Sequence, residues 1–169
     1  DSTVLVQGET GTGKEMLVRA MHAASPRAKA PLRFVNIAGL AANQIESVLF
    51  GHEKGAFPGA FDRHIGALQH ADGGTLVLDE IDRLPAAIQE RLAQFLATGQ
   101  VQPIGARHSF RIDVRLFAAS NAPLTELVAM QAFRADLALS LAGAKVAVPP
   151  FRERGGDIPA LARHFLARI

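Results

Sequence analysis

A glycine-rich turn near the start of the chain has the residue types and the spacing needed to bind phosphate. Residues 8–14 read Gly8-Glu9-Thr10-Gly11-Thr12-Gly13-Lys14. Because glycine has no Cβ atom, such a turn can curl and direct successive backbone N–H groups at an anion. Lys14 is placed to reach the β- and γ-phosphates of a nucleotide, as the lysine of the G-x-x-x-x-G-K pattern does. The turn predicts a phosphate-binding loop, and an ordinary glycine-rich turn is the alternative.

The sequence on both sides of this turn favours phosphate binding. The apolar run Val4–Val6 predicts a buried strand before it, and a helical pattern begins at Lys14 after it. A helix that begins there adds the positive end of its dipole to the same anion site. Glu15 stands where serine or threonine usually contacts Mg²⁺ in this pattern, so we expect the metal to depend more on other groups and on water.

Polar side chains also end two later apolar runs. Asp79 and Glu80 follow residues 75–78, and Asn121 closes the run 114–119. Because the carboxyl ends of parallel strands meet at one edge of a sheet, we expect these side chains near the phosphate-binding loop. There Asp79 is suited to holding Mg²⁺, directly or through water, and Glu80 to orienting and deprotonating a water. Asn121 is suited to holding the γ-phosphate or the water. A solvated strand end and a turn-forming asparagine are the alternatives.

Phosphoryl transfer to water is the chemistry that these residues favour, since it needs charge neutralisation and a placed water rather than a covalent nucleophile. The six histidines show no HExxH or other metal spacing, so the sequence does not support a zinc site. No nucleophile elbow is present either.

Strand-like and helix-like patterns alternate along the chain, which predicts a three-layer α/β fold with a mostly parallel sheet. An irregular excursion or hairpin is predicted over 101–110, and a projecting loop over 51–61. This loop contains Phe57 and Phe61, for which we weigh burial in a core against exposure to a partner. The predicted strands are 4–7, 34–37, 75–78, 114–119 and 145–148, and the predicted helices are 14–22, 45–50, 66–71, 86–98, 124–130, 133–141 and one after Asp157.

The composition indicates a single folded domain that is not built to bind nucleic acid by charge. The chain has 169 residues, of which 49% are hydrophobic and 20% charged, with a formal net charge of +2. That balance supports a substantial core without a strong positive field. The absence of cysteine excludes disulfides and agrees with a reducing compartment. Because the sequence also lacks a membrane-length apolar run and a signal-peptide layout, we expect a cytoplasmic protein with no membrane contact, excised from something longer.

Four segments together carry a family resemblance: residues 8–15, 49–57, 73–81 and 149–154. They resemble the AAA+ ATPase domain of bacterial enhancer-binding proteins, which activate transcription by the sigma-54 RNA polymerase. The resemblance runs from about Val4 to the end, and Glu15 matches a glutamate that the family carries there. It implies a P-loop NTPase fold, an AAA+ three-layer α/β/α sandwich with a mostly parallel five-stranded sheet. Residues 1–169 would form the nucleotide-binding core, with the helical lid largely missing after residue 169.

The resemblance implies an ATPase that uses ATP and Mg²⁺, assembles into a ring, usually a hexamer, and moves a loop against sigma-54 to open promoter DNA. DNA itself would be read by a separate domain. The expected nucleotide contacts are Gly8, Glu9, Thr10, Gly11, Thr12, Gly13, Lys14 and Glu15. The expected contacts with the sigma-54 RNA polymerase holoenzyme are Gly55, Ala56, Phe57, Pro58, Gly59 and Ala60.

The resemblance also assigns catalytic roles. Asp79 serves Mg²⁺, and Glu80 activates water. Asn36 matches an asparagine that restrains this glutamate until the right moment. Asn121 matches the first sensor position, and Arg134 matches an arginine that reaches into the neighbouring subunit's site.

Three departures from the family pattern leave a second interpretation open. Pro58 replaces a threonine in the loop, which removes a hydroxyl and fixes φ. Ser140 stands where the family usually has another interface arginine, and the lid arginine is missing. The alternative is a degenerate AAA+ module that binds and senses ATP without remodelling sigma-54. An unrelated AAA+ motor is disfavoured by the segment 50–57.

Overall fold

The structure of this protein is a computed structural model that describes residues 2–166, without the side chains of Ala162, His164 and Phe165. Five of its strands form one parallel sheet in the order β2-β3-β6-β1-β7, and two short strands, β4 and β5, form an antiparallel pair. The predicted parallel sheet and hairpin are thus confirmed. The strands are β1 Val4–Gln7, β2 Leu32–Asn36, β3 Thr75–Asp79, β4 Gln100–Val101, β5 Phe110–Arg111, β6 Arg115–Ser120 and β7 Ala144–Ala147.

The helices alternate with these strands, as the patterns predict. Three short 3-10 turns add to them, at Ile81–Arg83, Phe151–Glu153 and Gly155–Asp157. The helix predicted after Asp157 is present and begins at Ile158. The α-helices are α1 Lys14–Ala23, α2 Ala42–Phe50, α3 Ala67–His70, α4 Ala86–Thr98, α5 Leu124–Ala129, α6 Ala135–Leu141 and α7 Ile158–Leu166.

The strand side chains bury both faces of the sheet, which makes the fold a three-layer sandwich. In β3, Leu76 and Leu78 belong to one apolar cluster and Val77 to another. Successive strand residues point to opposite faces, so the two clusters lie on the two sides of the sheet. Helix α1 covers one side through Val18, and α2, α4 and α6 cover the other. A strand buried on both faces needs consecutive apolar residues, as β3 has at 76–78.

The parallel arrangement places the carboxyl ends of β1, β2, β3 and β6 at one edge. The register pairs Gln7 with Ser120 and Asn36 with Asp79. The residues that follow these strand ends are therefore the ones the fold gathers into a single crevice. Within residues 2–166, none of the helices is both long enough and apolar enough to cross a membrane.

Candidate nucleotide-binding site

The predicted phosphate-binding loop connects β1 directly to α1. Gly11 and Gly13 have φ angles of 82° and 91°, the left-handed region in which a Cβ atom is strained. The Thr12 hydroxyl donates a hydrogen bond to the Glu9 carbonyl at 2.8 Å, which closes the turn on itself. No side chain caps the start of α1. The first N–H groups of this helix are therefore free of a side-chain acceptor and suited to an anion.

Lys14 joins this loop to the end of β6. Its Nζ atom donates to the carbonyls of Gly8 and Glu9, at 2.8 and 3.0 Å, and to Oδ1 of Asn121 at 2.7 Å. Burial lowers the pKa of Lys14, and the nearby charges of Asp79, Asp82 and Glu80 oppose that effect. The structure thus brings together the lysine and the strand-end asparagine that are 107 residues apart in sequence.

Asp79 ends β3 inside the same crevice. One of its carboxylate oxygens accepts the Glu80 backbone N–H at 2.9 Å. Burial raises the pKa of Asp79, while that hydrogen bond and the charge of Lys14 act in the opposite direction. Among the described residues, no group of three or more acidic or histidine side chains could enclose a metal ion. One carboxylate beside a phosphate-binding loop fits Mg²⁺, which usually takes one or two carboxylates and completes its shell with phosphate oxygens and water.

Glu80 follows Asp79 in a left-handed conformation with φ 54°. Its Oε2 atom lies 3.0 Å from Nε of Arg83, on the adjoining 3-10 turn. The Asn36 side chain, expected to restrain Glu80, instead accepts the backbone N–H of Gly39 at 3.1 Å through Oδ1. The structure therefore shows Arg83, which the sequence did not single out, as the ionic partner of Glu80.

Asp82 is a further residue of the site that sequence reasoning missed. Its Oδ1 accepts hydrogen bonds from the Ser120 hydroxyl at 3.2 Å and from the Asn121 backbone N–H at 3.1 Å. These bonds fasten the 3-10 turn that follows β3 to the end of β6. The sequence alone does not indicate a role for a carboxylate two positions after the Asp79-Glu80 pair, because its direction depends on the 3-10 turn that carries it.

Two arginines near the end of the chain contact the phosphate-binding loop. Arg152 lies in the 3-10 turn Phe151–Glu153, and Arg154 directly follows that turn. Arg152 forms two hydrogen bonds with the Glu9 carboxylate, at 2.9 and 2.6 Å, which lower the pKa of Glu9. Arg154 donates to the Thr12 carbonyl at 2.8 Å. The sequence indicated that segment 149–154 belongs to the family pattern but not that it touches the loop.

A hollow of about 370 Å³ lies beside this loop. Glycines of the loop, apolar residues of α1 and the side chains of Phe151 and Leu161 line it. Its volume falls in the range of about 300–1,000 Å³ typical of small-molecule sites, and its mostly apolar wall next to a phosphate-binding turn suits the ring system of a nucleotide.

The contacts described for Arg134 are with residues of α4 and α6, and its backbone N–H donates to Oε1 of Gln89 at 2.8 Å. Arg134 precedes α6, and its guanidinium donates to both carboxylate oxygens of Asp136, at 3.0 and 2.8 Å, with Glu90 at 3.9 Å. These contacts raise the pKa of Arg134. Ser140, exposed, donates its hydroxyl to the Asp136 carbonyl. The arginine is half exposed and charged, as an arginine that acts on another chain must be.

The loop from Gly55 to Ala60 is closed at its base and open at its tip. Gly55 N–H donates to the Ala60 carbonyl at 2.8 Å, and His52 and His64 exchange two backbone hydrogen bonds at 2.9 Å. The Phe57 ring contacts the His52 ring edge-on, with centroids 4.9 Å apart. Phe57 is 38% exposed and Phe61 80% exposed. The interpretation that both phenylalanines lie in the core is therefore wrong, and the predicted projecting loop is present.

Comparisons with known proteins agree with this geometry. The family described as "Sigma-54 interaction domain" matches residues 1–147. The chain is 47% identical over 169 residues to the Nif-specific regulatory protein of Sinorhizobium fredii, covering 100% of this chain and 28% of that protein. It is 49% identical over 164 residues to the DNA-binding transcriptional regulator NtrC of Escherichia coli K12, covering 97% of this chain and 35% of that protein.

Solved structures show the same fold. The structure of NtrX from Brucella abortus in complex with ATP has a TM-score of 0.89 and 34% identity, covering 98% of this chain and 37% of that one. The P-loop NTPase domain of an E. coli sigma-54 activator has a TM-score of 0.58 and 22% identity, covering 89% of this chain and 85% of that one. The P-loop NTPase fold is confirmed. The chain spans about a third of the length of these curated relatives. It belongs to the sigma-54 interaction domain family.

Proposed function

We propose that this chain binds and hydrolyses Mg-ATP and uses the reaction to remodel sigma-54 RNA polymerase. The observation that carries the proposal is the position of Lys14, which joins the phosphate-binding loop to Asn121 beside the acidic end of β3. A relative of 34% identity has been solved with ATP and also with ADP. This supports nucleotide binding by the corresponding residues here.

The residues divide the work of phosphoryl transfer among them. The N–H groups of the loop and of the start of α1 hold the phosphates, and Lys14 exchanges a carbonyl or amide acceptor for a phosphate oxygen. Asp79 would hold Mg²⁺, which neutralises phosphate charge when it is bound. Glu80 orients the attacking water and takes its proton. Asn121, already hydrogen-bonded to Lys14, then senses the γ-phosphate.

A second subunit completes the site in this proposal. Arg134 is charged and half exposed, and its guanidinium is hydrogen-bonded to the Asp136 carboxylate. Delivered across an interface, an arginine stabilises charge that develops on the transferring phosphoryl group. Self-association into a ring, with six subunits as the expected number, would therefore be a condition for turnover.

The loop Gly55–Ala60 is the proposed contact with sigma-54. Its partly exposed Phe57 offers an apolar group, and Phe61, which follows the loop in sequence, is 80% exposed. Proline at position 58 fixes one φ angle of the tip, which limits the shapes that the loop can take. A protein acting on RNA polymerase works in the cytoplasm, which is the location we propose. DNA would be bound by a separate domain.

The family match does not favour the alternative of a module that binds ATP without remodelling sigma-54. Pro58 and Ser140 still motivate it, because one alters the contact loop and the other removes a charge near Arg134. The two functions predict opposite results in one experiment.

The test measures Mg-ATP hydrolysis and capture of sigma-54 by the full-length protein. The wild type should hydrolyse ATP faster than Glu80→Gln, and should capture sigma-54 in the presence of an ATP transition-state mimic. Phe57→Ala should hydrolyse ATP and fail to capture. ATP binding without hydrolysis above the Glu80→Gln rate would contradict the proposal and support the sensing module.

A further inference from the structure

The Glu80 carboxylate forms an ion pair with Arg83, three positions later in the sequence. Its Oε2 atom lies 3.0 Å from Nε of Arg83, and the Glu80 backbone is in the left-handed region at φ 54°. The Glu80 side chain is 21% exposed, whereas Arg83 is 64% exposed. The carboxylate is thus largely shielded from solvent, whereas the guanidinium that contacts it lies mostly in solvent.

The turn that carries Arg83 is fixed at a second point. The Arg83 backbone N–H donates to the Glu80 carbonyl at 3.0 Å. Asp82, between them, accepts from Ser120 and from the Asn121 backbone. The base of the Arg83 side chain is therefore tied to the same strand end that holds Lys14 through Asn121. Arg83 approaches Glu80 from a fixed position rather than from a free loop.

The side chain expected to restrain Glu80 is engaged elsewhere. Asn36 is exposed, and its Oδ1 accepts the Gly39 N–H. Its contact belongs to the turn after β2. In this chain the group that contacts the Glu80 carboxylate is a cation, not an amide.

We propose that Arg83 is a positioning residue that restrains the Glu80 carboxylate in a resting orientation until the guanidinium is drawn away. This inference rests on the proposed hydrolysis of ATP. An ion pair along the turn directs the carboxylate toward Arg83, and rotation toward a water requires the pair to break. Ion pairs with one exposed partner are weak, so the restraint should amount to about two- to fivefold in rate.

The experiment measures kcat and KM for Mg-ATP with the full-length protein and three variants. Arg83→Gln removes the charge and keeps much of the length of the side chain. Arg83→Lys keeps the charge and should restore most of the restraint. Arg63→Gln is the matched control, because Arg63 forms a similar exposed ion pair with Glu53 at 3.3 Å and neither residue is assigned to the nucleotide site.

We expect Arg83→Gln to raise kcat about two- to fivefold at unchanged KM, with Arg83→Lys and Arg63→Gln close to the wild type. A merely structural role would change KM or thermal unfolding, which are measured on the same samples. A kcat for Arg83→Gln that equals or falls below the wild type would overturn the inference. Arg83→Ala should change kcat in the same direction as Arg83→Gln. Agreement between two variants ensures that one poorly folded protein does not decide the result.

The proposed ATP hydrolysis is tested separately, by comparing the rate of the wild type with that of Glu80→Gln, which serves as the blank. If the wild type does not exceed this blank, the proposed hydrolysis by the unmodified protein fails. Arg83→Gln then still decides the restraint. A rate above the blank supports it, since release of Glu80 has created activity. A rate at the blank overturns it together with the proposed function.

Discussion

Replacing Asp82 by alanine should loosen the join between the turn after β3 and the end of β6. The carboxylate accepts two hydrogen bonds there, from the Ser120 hydroxyl at 3.2 Å and the Asn121 N–H at 3.1 Å. Ser120 is fully buried, but its hydroxyl also donates to the Ala122 carbonyl at 2.6 Å. In Asp82→Ala, the Asn121 backbone N–H therefore loses the carboxylate acceptor described for it.

The size of the effect follows from these contacts. Hydrogen bonds to a charged acceptor contribute about 1.5–3 kcal/mol each, and those at the long end of the distance range contribute less. Because Ser120 keeps one acceptor, we expect Asp82→Ala to lower the free energy of unfolding by about 2 kcal/mol. For a chain of this size that corresponds to a fall in Tm of about 4–8 °C. Asp82→Asn keeps the accepting oxygen and should lose about half as much.

The assay is thermal and urea unfolding of the purified protein, with Asp62→Ala as the control. Asp62 is an exposed acid, so its removal changes the net charge equally without breaking these contacts. The same variants are titrated with ATP, since a displaced Asn121 should weaken its contact with Lys14. If Asp82→Ala unfolds within about 0.5 kcal/mol of Asp62→Ala, the two hydrogen bonds do not fasten the turn.

Three further predictions concern the loop, the acidic strand end and the core. Gly13→Ala forces a Cβ atom into a backbone at φ 91°. It should lower the free energy of unfolding in urea by about 1 kcal/mol or more and weaken ATP binding. Undiminished ATP binding would show that the loop tolerates another conformation. Burial raises the pKa of Asp79, so its contribution to stability is present at acid pH and is lost as pH rises through the folded-state pKa. Asp79→Asn should therefore flatten the decline in stability that accompanies ionisation of this carboxyl as the pH rises, and it should abolish Mg-dependent hydrolysis. An unchanged pH profile of stability would contradict this. Phe117→Ala, at a fully buried position in β6, should lower the free energy of unfolding by about 3–5 kcal/mol in the same assay, and a loss below about 1 kcal/mol would show that the site is not close-packed.

The fold could be predicted because its strands are buried on both faces and its helices on one. Residues 76–78 of β3 are consecutively apolar, which suits a strand covered on both faces of a parallel sheet. The strand limits were less predictable. Strand β2 begins at Leu32 rather than Phe34, since Leu32 pairs with Thr75 of β3. Pairing with a distant strand, which no local pattern records, decides where a strand begins.

The central part of the site was predictable for a related reason. Strand ends in a parallel sheet converge, so Lys14 and Asn121 were expected together, and their hydrogen bond is present. The surrounding contacts were not predictable. Arg152 meets Glu9 across 143 positions of sequence, and the partner of Glu80 depends on the 3-10 turn that carries Arg83. Neither a motif nor a period specifies which way such side chains point.

An active site completed by a second subunit is tested most directly by the rate of Mg-ATP hydrolysis per subunit as a function of protein concentration, with Glu80→Gln as the blank. Lys14→Ala and Arg134→Ala are measured alone and mixed, because the first keeps the arginine and the second keeps the nucleotide site. We expect a rate per subunit that climbs with concentration, two variants that are inactive alone, and recovered activity in the mixture. A wild-type rate no higher than the blank, with ATP still bound, would contradict this expectation.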